Sequence, residues 1–204
     1  MTTDYSQTLR QMQQENVRLK SENTTLRDYM IRMQQAVRSL ISLQNQLDHI
    51  TEKTNVHELV ERILSAAMTA VDSENGSLLL LDEDSKELVF VKVFGEAQGK
   101  LTHYRLPKGK GVAGWVVANR SSRLVEDADK DPYFAPEVDR LTGMETYTLI
   151  CVPLLDGAKV LGVLEVVNKR QGGSFSEADR DIMVLVGRLA SMAIVLAEKA
   201  AVEA

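Results

Sequence analysis

Cysteine is nearly absent from this chain: Cys151 is the only one among 204 residues. An intramolecular disulfide framework, a Cys-x-x-Cys redox pair and a cysteine-rich zinc site are therefore excluded. A reducing cytoplasm is the simplest home for such a sequence. Long apolar runs are missing too, each being broken by a charge before about 18 residues, and residues 1–30 lack the apolar core of a signal peptide. Neither secretion nor a membrane span is expected. Charge of one sign is also lacking, since 24 basic residues face 29 acidic ones. Without a cationic excess, a grip on nucleic acid through phosphate contacts is disfavoured. Gly and Pro do not occur in residues 1–50, so nothing there interrupts a continuous helix.

What is present is an ordinary globular balance, 44% hydrophobic and 26% charged, with length for one sizeable α/β core and an appendage. In residues 1–50 a heptad grid puts Met12, Leu19, Leu26, Met33, Leu40 and Leu47 at d. Leu9, Asn16, Asn23, Met30, Val37 and Gln44 fall at a. Every d is apolar, a pattern sustained long enough to predict a coiled coil. Asn at a is tolerated where two parallel helices let the amides face each other, so Asn16 and Asn23 specify a parallel dimer at a cost in stability. The flanks agree: g-to-e pairing between partners joins Glu15 to Lys20 and Glu22 to Arg27, all opposite charges. After Val37 the stripe widens through Ala36, Ile41, Leu43 and Ile50. A wider stripe needs more than one partner helix, so the coil should open near residue 36 into a bundle.

A second helix is predicted from Asn55, which with Glu58 gives an N-cap pattern, through Val71. β-like runs follow at 77–81 and 88–94, joined by the turn-rich DEDSKE, then at 101–106, 123–126, 147–155 and 159–167. Asp156-Gly157 marks a tight turn inside the last pair. The final helix begins at the cap Ser176 with Asp179 three residues on. Its apolar residues form two faces: Met183, Val186, Ala190 and Ile194 on one, Ile182, Leu185, Leu189 and Leu196 on the other. One face can cover a sheet, and the other supplies a helix to the bundle.

Little in the sequence points to catalysis. Gly109 to Gly114, GKGVAG, matches G-x-G-x-x-G, but a dinucleotide site needs a buried strand before it and a long crossover helix after it. Here LTHYRL is amphipathic, Pro107 interrupts the entry, and the helix ends near Asn119. No HRD or DFG motif accompanies it. His49, His57 and His103 have no metal-ligand spacing. Cys151 sits in the apolar run LICVPLL, where a buried, inert thiol is expected.

From about Asn55 onward the sequence resembles GAF domains, and most closely the regulatory GAF domains of cyclic-nucleotide phosphodiesterases. The resemblance rests on SLLLLD with VKVF, then GKGVAGWVV, VEDADKDPYF with VDRLTG, LICVPLLDGAKVLGVLEVVNK, and FSEADR, in that order. It implies an α+β fold, a central antiparallel sheet of about five or six strands flanked by helices. The domains are then a coiled-coil helix over 1–50 and a sensor domain over 51–204. In that subfamily an Asn-Lys, a spaced Phe and an Asp-Glu mark cyclic-nucleotide binders. Asn168, Lys169, Phe175 and Asp179 match, and Arg180 replaces the Glu. The Lys and Asp resemble a clamp between last strand and last helix.

The same resemblance implies a ligand site at Ser77, Phe94, Val112, Ala113, Asp127 and Glu165. An aromatic ring would stack a base, helix N-terminal amides would approach a phosphate, and carboxylates would accept from purine N–H groups. Position 95, a recognition carboxylate in some members, is Gly95. Relatives that reduce methionine sulfoxide use several cysteines, and relatives that attach a bilin use a cysteine beside a histidine. Neither arrangement exists here. The resulting expectation is a non-catalytic, small-molecule-sensing homodimer without a cofactor or metal. Its ligand would be a cyclic nucleotide or other purine, relayed in trans to an unknown signalling protein. The competing expectation is a scaffold whose pocket holds nothing.

Overall fold

The structure is a computed structural model and describes residues 2–47 and 54–202. His49, Ile50 and the domain boundary drawn at residue 50 lie outside the described residues. The chain runs α1 (Thr2–Leu47), α2 (Val56–Val71), β1 (Ser73–Leu81), β2 (Leu88–Phe94), α3 (Gln98–Leu101), β3 (Arg105–Leu106), α4 (Gly111–Asn119), β4 (Arg123–Val125), α5 (Glu137–Thr142), β5 (Leu149–Asp156), β6 (Lys159–Lys169) and α6 (Glu177–Val202). The strands form one sheet of order β3-β2-β1-β6-β5-β4, antiparallel at every pairing. This is the α+β architecture expected above.

Period-two alternation along the central strands sorts side chains onto two faces. Leu78, Leu164 and Val166 join a helix-side core with Ile63 and Leu64 of α2 and Met183, Val186 and Ala190 of α6. Leu79 and Val163 join a second core on the opposite face, with Val112, Ala113 and Val116 of α4. Each fully buried aliphatic side chain contributes about 1.5–3 kcal/mol of transfer free energy. Asn55 caps α2 as expected, its Oδ1 accepting from the His57 amide at 3.0 Å.

The end of α1 packs on its own domain, with Ala36 buried and Leu40 against the helix-side core. Tyr29 and Met33 lie beside Ala70 and Val71 at the end of α2, while Ser39 and Ser42 lie beside Glu61 and Arg62 nearer its start. The two helices are therefore antiparallel. The widening of the stripe near residue 36 thus corresponds to contact with α2 and α6 of the same chain. Residues 7–31 are exposed throughout, so about 25 residues of helix, roughly 37 Å long, extend with their heptad seam uncovered.

One predicted strand is wrong in part. Residues 101–106 contain only the two-residue β3, because Gln98–Leu101 coils into α3 and His103 turns left-handed at φ 66°. Leu101, the last residue of α3, is buried on the second core face.

Candidate functional site

Between the second face of the sheet and a cover made of α3, α4, α5 and the 134–146 segment lies a cavity of about 80 Å³. Its walls are mostly apolar, including Phe90, Val93, Leu106, Val112 and Phe134. Strand alternation supplies its polar floor: Ser77 and Glu165 stand opposite each other in the β1–β6 register, and both point to this face. Ser77 Oγ donates to Glu165 Oε2 at 3.3 Å.

Burial pushes the Glu165 carboxyl up to about 7, the Ser77 hydrogen bond opposes this, and the nearby Asp139 charge adds to it. Glu165 is consequently divided between its neutral and charged forms near neutral pH. As a neutral acid it can donate a hydrogen bond, and as an anion it can accept one. Asp139, on α5, accepts from the Thr146 amide at 2.7 Å and from Thr146 Oγ1 at 2.8 Å. Both residues line the cavity.

The glycine motif has a packing explanation. Gly109 and Gly111 are left-handed at φ 72° and 71°, conformations that glycine adopts without cost. A Cβ on Gly114 would lie 2.3 Å from the carbonyl carbon of Gly109. The motif folds the loop against the first turn of α4 and brings Gly111, Val112 and Ala113 to the cavity wall.

The cover is pinned at several points. Arg123 bonds Asp131 at 2.6 Å and stacks against Trp115 and Tyr133, 4.8 and 4.7 Å from their ring centroids. Lys110 pairs with Glu137 at 2.8 Å, and Lys100 Nζ donates to the Thr142 carbonyl at 2.6 Å. On the far side, Asn168 Oδ1 accepts from the Tyr147 amide at 2.8 Å, and its Nδ2 donates to the Glu145 carbonyl at 2.7 Å. The next residue, Lys169, reaches Asp179 of α6 at 2.6 Å. Arg180 pairs instead with Glu177 and Asp181.

Of the residues singled out from sequence, Ser77, Val112, Ala113 and Glu165 meet at the cavity wall, and Phe94 borders it. The Phe94 ring packs on the helix-side core, with Lys92 Nζ 5.2 Å from its centroid. A bulge in β2 is the cause: Leu78 pairs with Lys92 and Leu79 with Phe90, leaving Val91 over. The extra residue reverses the phase of alternation, so Phe90 and Val93 face the cavity while Lys92 reaches Glu61 on α2. Asp127 stands outside the lining. Its carboxylate accepts from Lys130 at 2.6 Å, and this hydrogen bond holds its pKa below the usual value. Sequence reasoning missed Asp139, Thr146, Phe90 and Phe134. Asp139 lies within a segment that carried the resemblance, whereas Thr146 sits in a loop with no distinguishing pattern. Cys151 is fully buried opposite Glu165 in the β5–β6 register, and burial followed by the Glu165 charge pushes its thiol well up.

An antiparallel sheet with helices on one face and a partly open apolar cavity with a carboxyl floor on the other defines a pocket-bearing α+β domain. A family profile described as GAF domain matches residues 53–195, and the chain belongs to that family. Among curated relatives, a probable 3',5'-cyclic phosphodiesterase pde-5 of Caenorhabditis elegans is 29% identical over 133 residues, 60% of this chain and 18% of the relative. The dual 3',5'-cyclic-AMP and -GMP phosphodiesterase 11A of Takifugu rubripes is 27% identical over 144 residues, 66% of this chain and 16% of the relative. The chain thus spans less than a fifth of either relative's length.

Solved structures agree on the fold. The GAF domain of a phosphoenolpyruvate-protein phosphotransferase from Coxiella burnetii superposes with a TM-score of 0.68 at 18% identity, covering 82% of this chain and 96% of that one. A free methionine-R-sulfoxide reductase from Neisseria meningitidis, in complex with its substrate, gives 0.66 at 19% identity, covering 81% and 91%. Among the described residues no helix is long and apolar enough to cross a membrane.

Proposed function

We propose that this chain is a regulatory, non-catalytic sensor module of cytoplasmic signalling. Its cavity takes a small purine-like ligand such as a cyclic nucleotide, it dimerises through the α1 heptads, and it reports ligand state in trans to a signalling protein. The observation that carries this reading is the convergence of α4's first turn, the Ser77–Glu165 pair and the Asp139–Thr146 pair on one apolar cavity. N-terminal amides suit an anionic group, while carboxyl groups suit ring N–H donors. Binding would be relayed along β6, through Asn168 to the cover and through Lys169 and Asp179 to α6. The exposed seam from Leu9 to Leu26, with Asn16 and Asn23 inside it, supports a parallel two-stranded coil.

One observation favours a second reading, a scaffold with no working pocket. About 80 Å³ holds a few waters, whereas ligand sites usually run to about 300–1,000 Å³. A sensor must therefore open its cover to bind. Native mass spectrometry of freshly purified protein, followed by thermal melts with cyclic AMP and cyclic GMP, separates the two. A bound small mass, or a melt raised by one nucleotide, supports the sensor, since saturation at 100 times Kd adds about 2.7 kcal/mol. Empty protein indifferent to both nucleotides supports the scaffold.

A further inference from the structure

Asn75 stands on β1 two residues before Ser77 and pairs with Val167 of β6, as Ser77 pairs with Glu165. Residues two apart on a strand share a face, and Asn75 lines the cavity together with Ser77 and Glu165. Its position is fixed from two sides. The Ser73 hydroxyl accepts from the Asn75 backbone amide at 3.2 Å and donates to the Asn75 carbonyl at 2.8 Å. Just past the end of β2, the Glu96 amide donates to Asn75 Oδ1 at 3.1 Å. Gly95 makes that approach possible, since a Cβ there would lie 2.2 Å from Asn75 Oδ1.

The Glu96 contact decides which way the side-chain amide faces. A backbone N–H can only donate, so the amide oxygen must meet it and Nδ2 is turned the other way with both its hydrogens. Among the described residues Nδ2 has no acceptor. The rest of the lining contains no Lys, Arg, His, Gln or Trp, so among the described residues Asn75 brings the cavity its only side-chain N–H. The other polar side chains offer acceptors. Ser77 gives its proton to Glu165, whose Oε1 has no hydrogen-bond partner among the described residues, and Thr146 Oγ1 gives its proton to Asp139. One oriented donor thus stands beside several acceptors. Diagonal neighbours on an antiparallel ladder lie about 7–8 Å apart, so Asn75 and Glu165 can bracket the edge of a single ring.

We propose that Asn75 reads the base of the ligand: its Nδ2 donates to a ring carbonyl while the Glu165 carboxyl accepts from the N–H groups next to that carbonyl. Two N–H groups beside one carbonyl make the edge of guanine, whereas adenine presents one amino group beside a ring nitrogen. The cavity therefore prefers cyclic GMP to cyclic AMP. The assignment rests on the purine-like ligand of the preceding section.

Isothermal titration of the full chain with cyclic GMP and cyclic AMP, in the wild type and in Asn75→Asp, tests it. Aspartate keeps the oxygen that accepts from Glu96 and removes only the N–H donor, so a purely structural role would leave binding unchanged. The expected result is cyclic GMP bound at least about tenfold more tightly than cyclic AMP by the wild type, and weakened at least about tenfold by Asn75→Asp, with cyclic AMP little affected. Equal binding of cyclic GMP by wild type and variant, or a wild type that favours cyclic AMP, overturns the role of Asn75 and leaves the sensor reading standing. A wild type that binds neither nucleotide overturns both. A measurement on the wild type alone is independent of how the variant folds: the nitrogen and proton resonances of the Asn75 side-chain amide should shift on saturation with cyclic GMP, and resonances that stay in place at saturation overturn the contact.

Discussion

Ser77 and Glu165 face each other across the β1–β6 ladder, joined by a 3.3 Å hydrogen bond at the floor of the cavity. The folded pKa of Glu165, about 7, lies above its ordinary 4.5. The folded state therefore holds this proton more tightly than the unfolded one. As pH rises from about 4.5 towards 7 the unfolded chain releases it first and stability falls, and above about pH 7 the loss is constant. A shift of this size corresponds to about 3 kcal/mol. Glu165→Gln keeps an acceptor for Ser77 without the charge. It should raise the melting temperature by several degrees at about pH 8 and by little at about pH 5. Equal gains at both pH values would mean that the carboxyl is not held protonated by the fold.

The Lys169–Asp179 pair makes a second prediction. Both side chains are mostly buried, and the same Asp179 oxygen accepts from the Ser176 amide and hydroxyl at 2.8 Å each. Asp179→Ala removes the acceptor half of the capping box at Ser176 and leaves the ammonium unpaired, which should cost about 3 kcal/mol in urea unfolding. Replacing both partners by apolar residues should recover part of that loss. A double variant no better than Asp179→Ala alone would locate the cost in the cap.

At the glycine motif, Gly114→Ala should destabilise by about 3 kcal/mol, because the new methyl meets Gly109 backbone and cannot be accommodated by a side-chain rotation. The motif's close approach serves the fold of the loop and not a pyrophosphate. Isothermal titration of the wild type with NAD or ATP should accordingly give no heat of binding, and a measurable affinity would reverse this reading.

The layers of the fold were legible in the sequence because apolar period-two and period-3.6 patterns decide which face each element buries. Glu165 and Ser77 came from the family resemblance, and the β1–β6 register puts them on one face. Phe94 came from the same resemblance but turns away, since the unpaired Val91 shifts the phase of β2 and no residue type announces the bulge. The strand expected at 101–106 failed for a related reason: its apolar ends, Leu101 and Leu106, are both buried, yet a left-handed His103 separates a helical turn from a two-residue strand. Asp127 matched a segment, but its short-range partner Lys130 lies three residues away and holds the carboxylate outside the cavity. Cavity residues brought in by the cover, Asp139 and Thr146 among them, depend on long-range closure that local pattern does not encode.

Asp139 ties the segment that follows α5 back onto that helix. Its carboxylate holds the Thr146 amide and hydroxyl, and its own carbonyl accepts from Gly143 at 2.7 Å where the chain leaves α5 left-handed. Asp139→Ala removes both carboxylate bonds and leaves the buried Thr146 amide without its acceptor, a loss of about 1–3 kcal/mol. Because the bonds are local to the cover, the cost should fall on opening of residues 143–148 and not on the sheet. Hydrogen exchange should therefore speed up at least tenfold in that segment while β1 and β6 keep their protection. Removing the Asp139 charge also removes one cause of the raised Glu165 pKa. The pH at which Glu165 titrates, followed by carboxyl NMR, should move down in the same variant. Unchanged exchange together with an unchanged titration would show that the cover is held elsewhere, at Lys110–Glu137 or Arg123–Asp131.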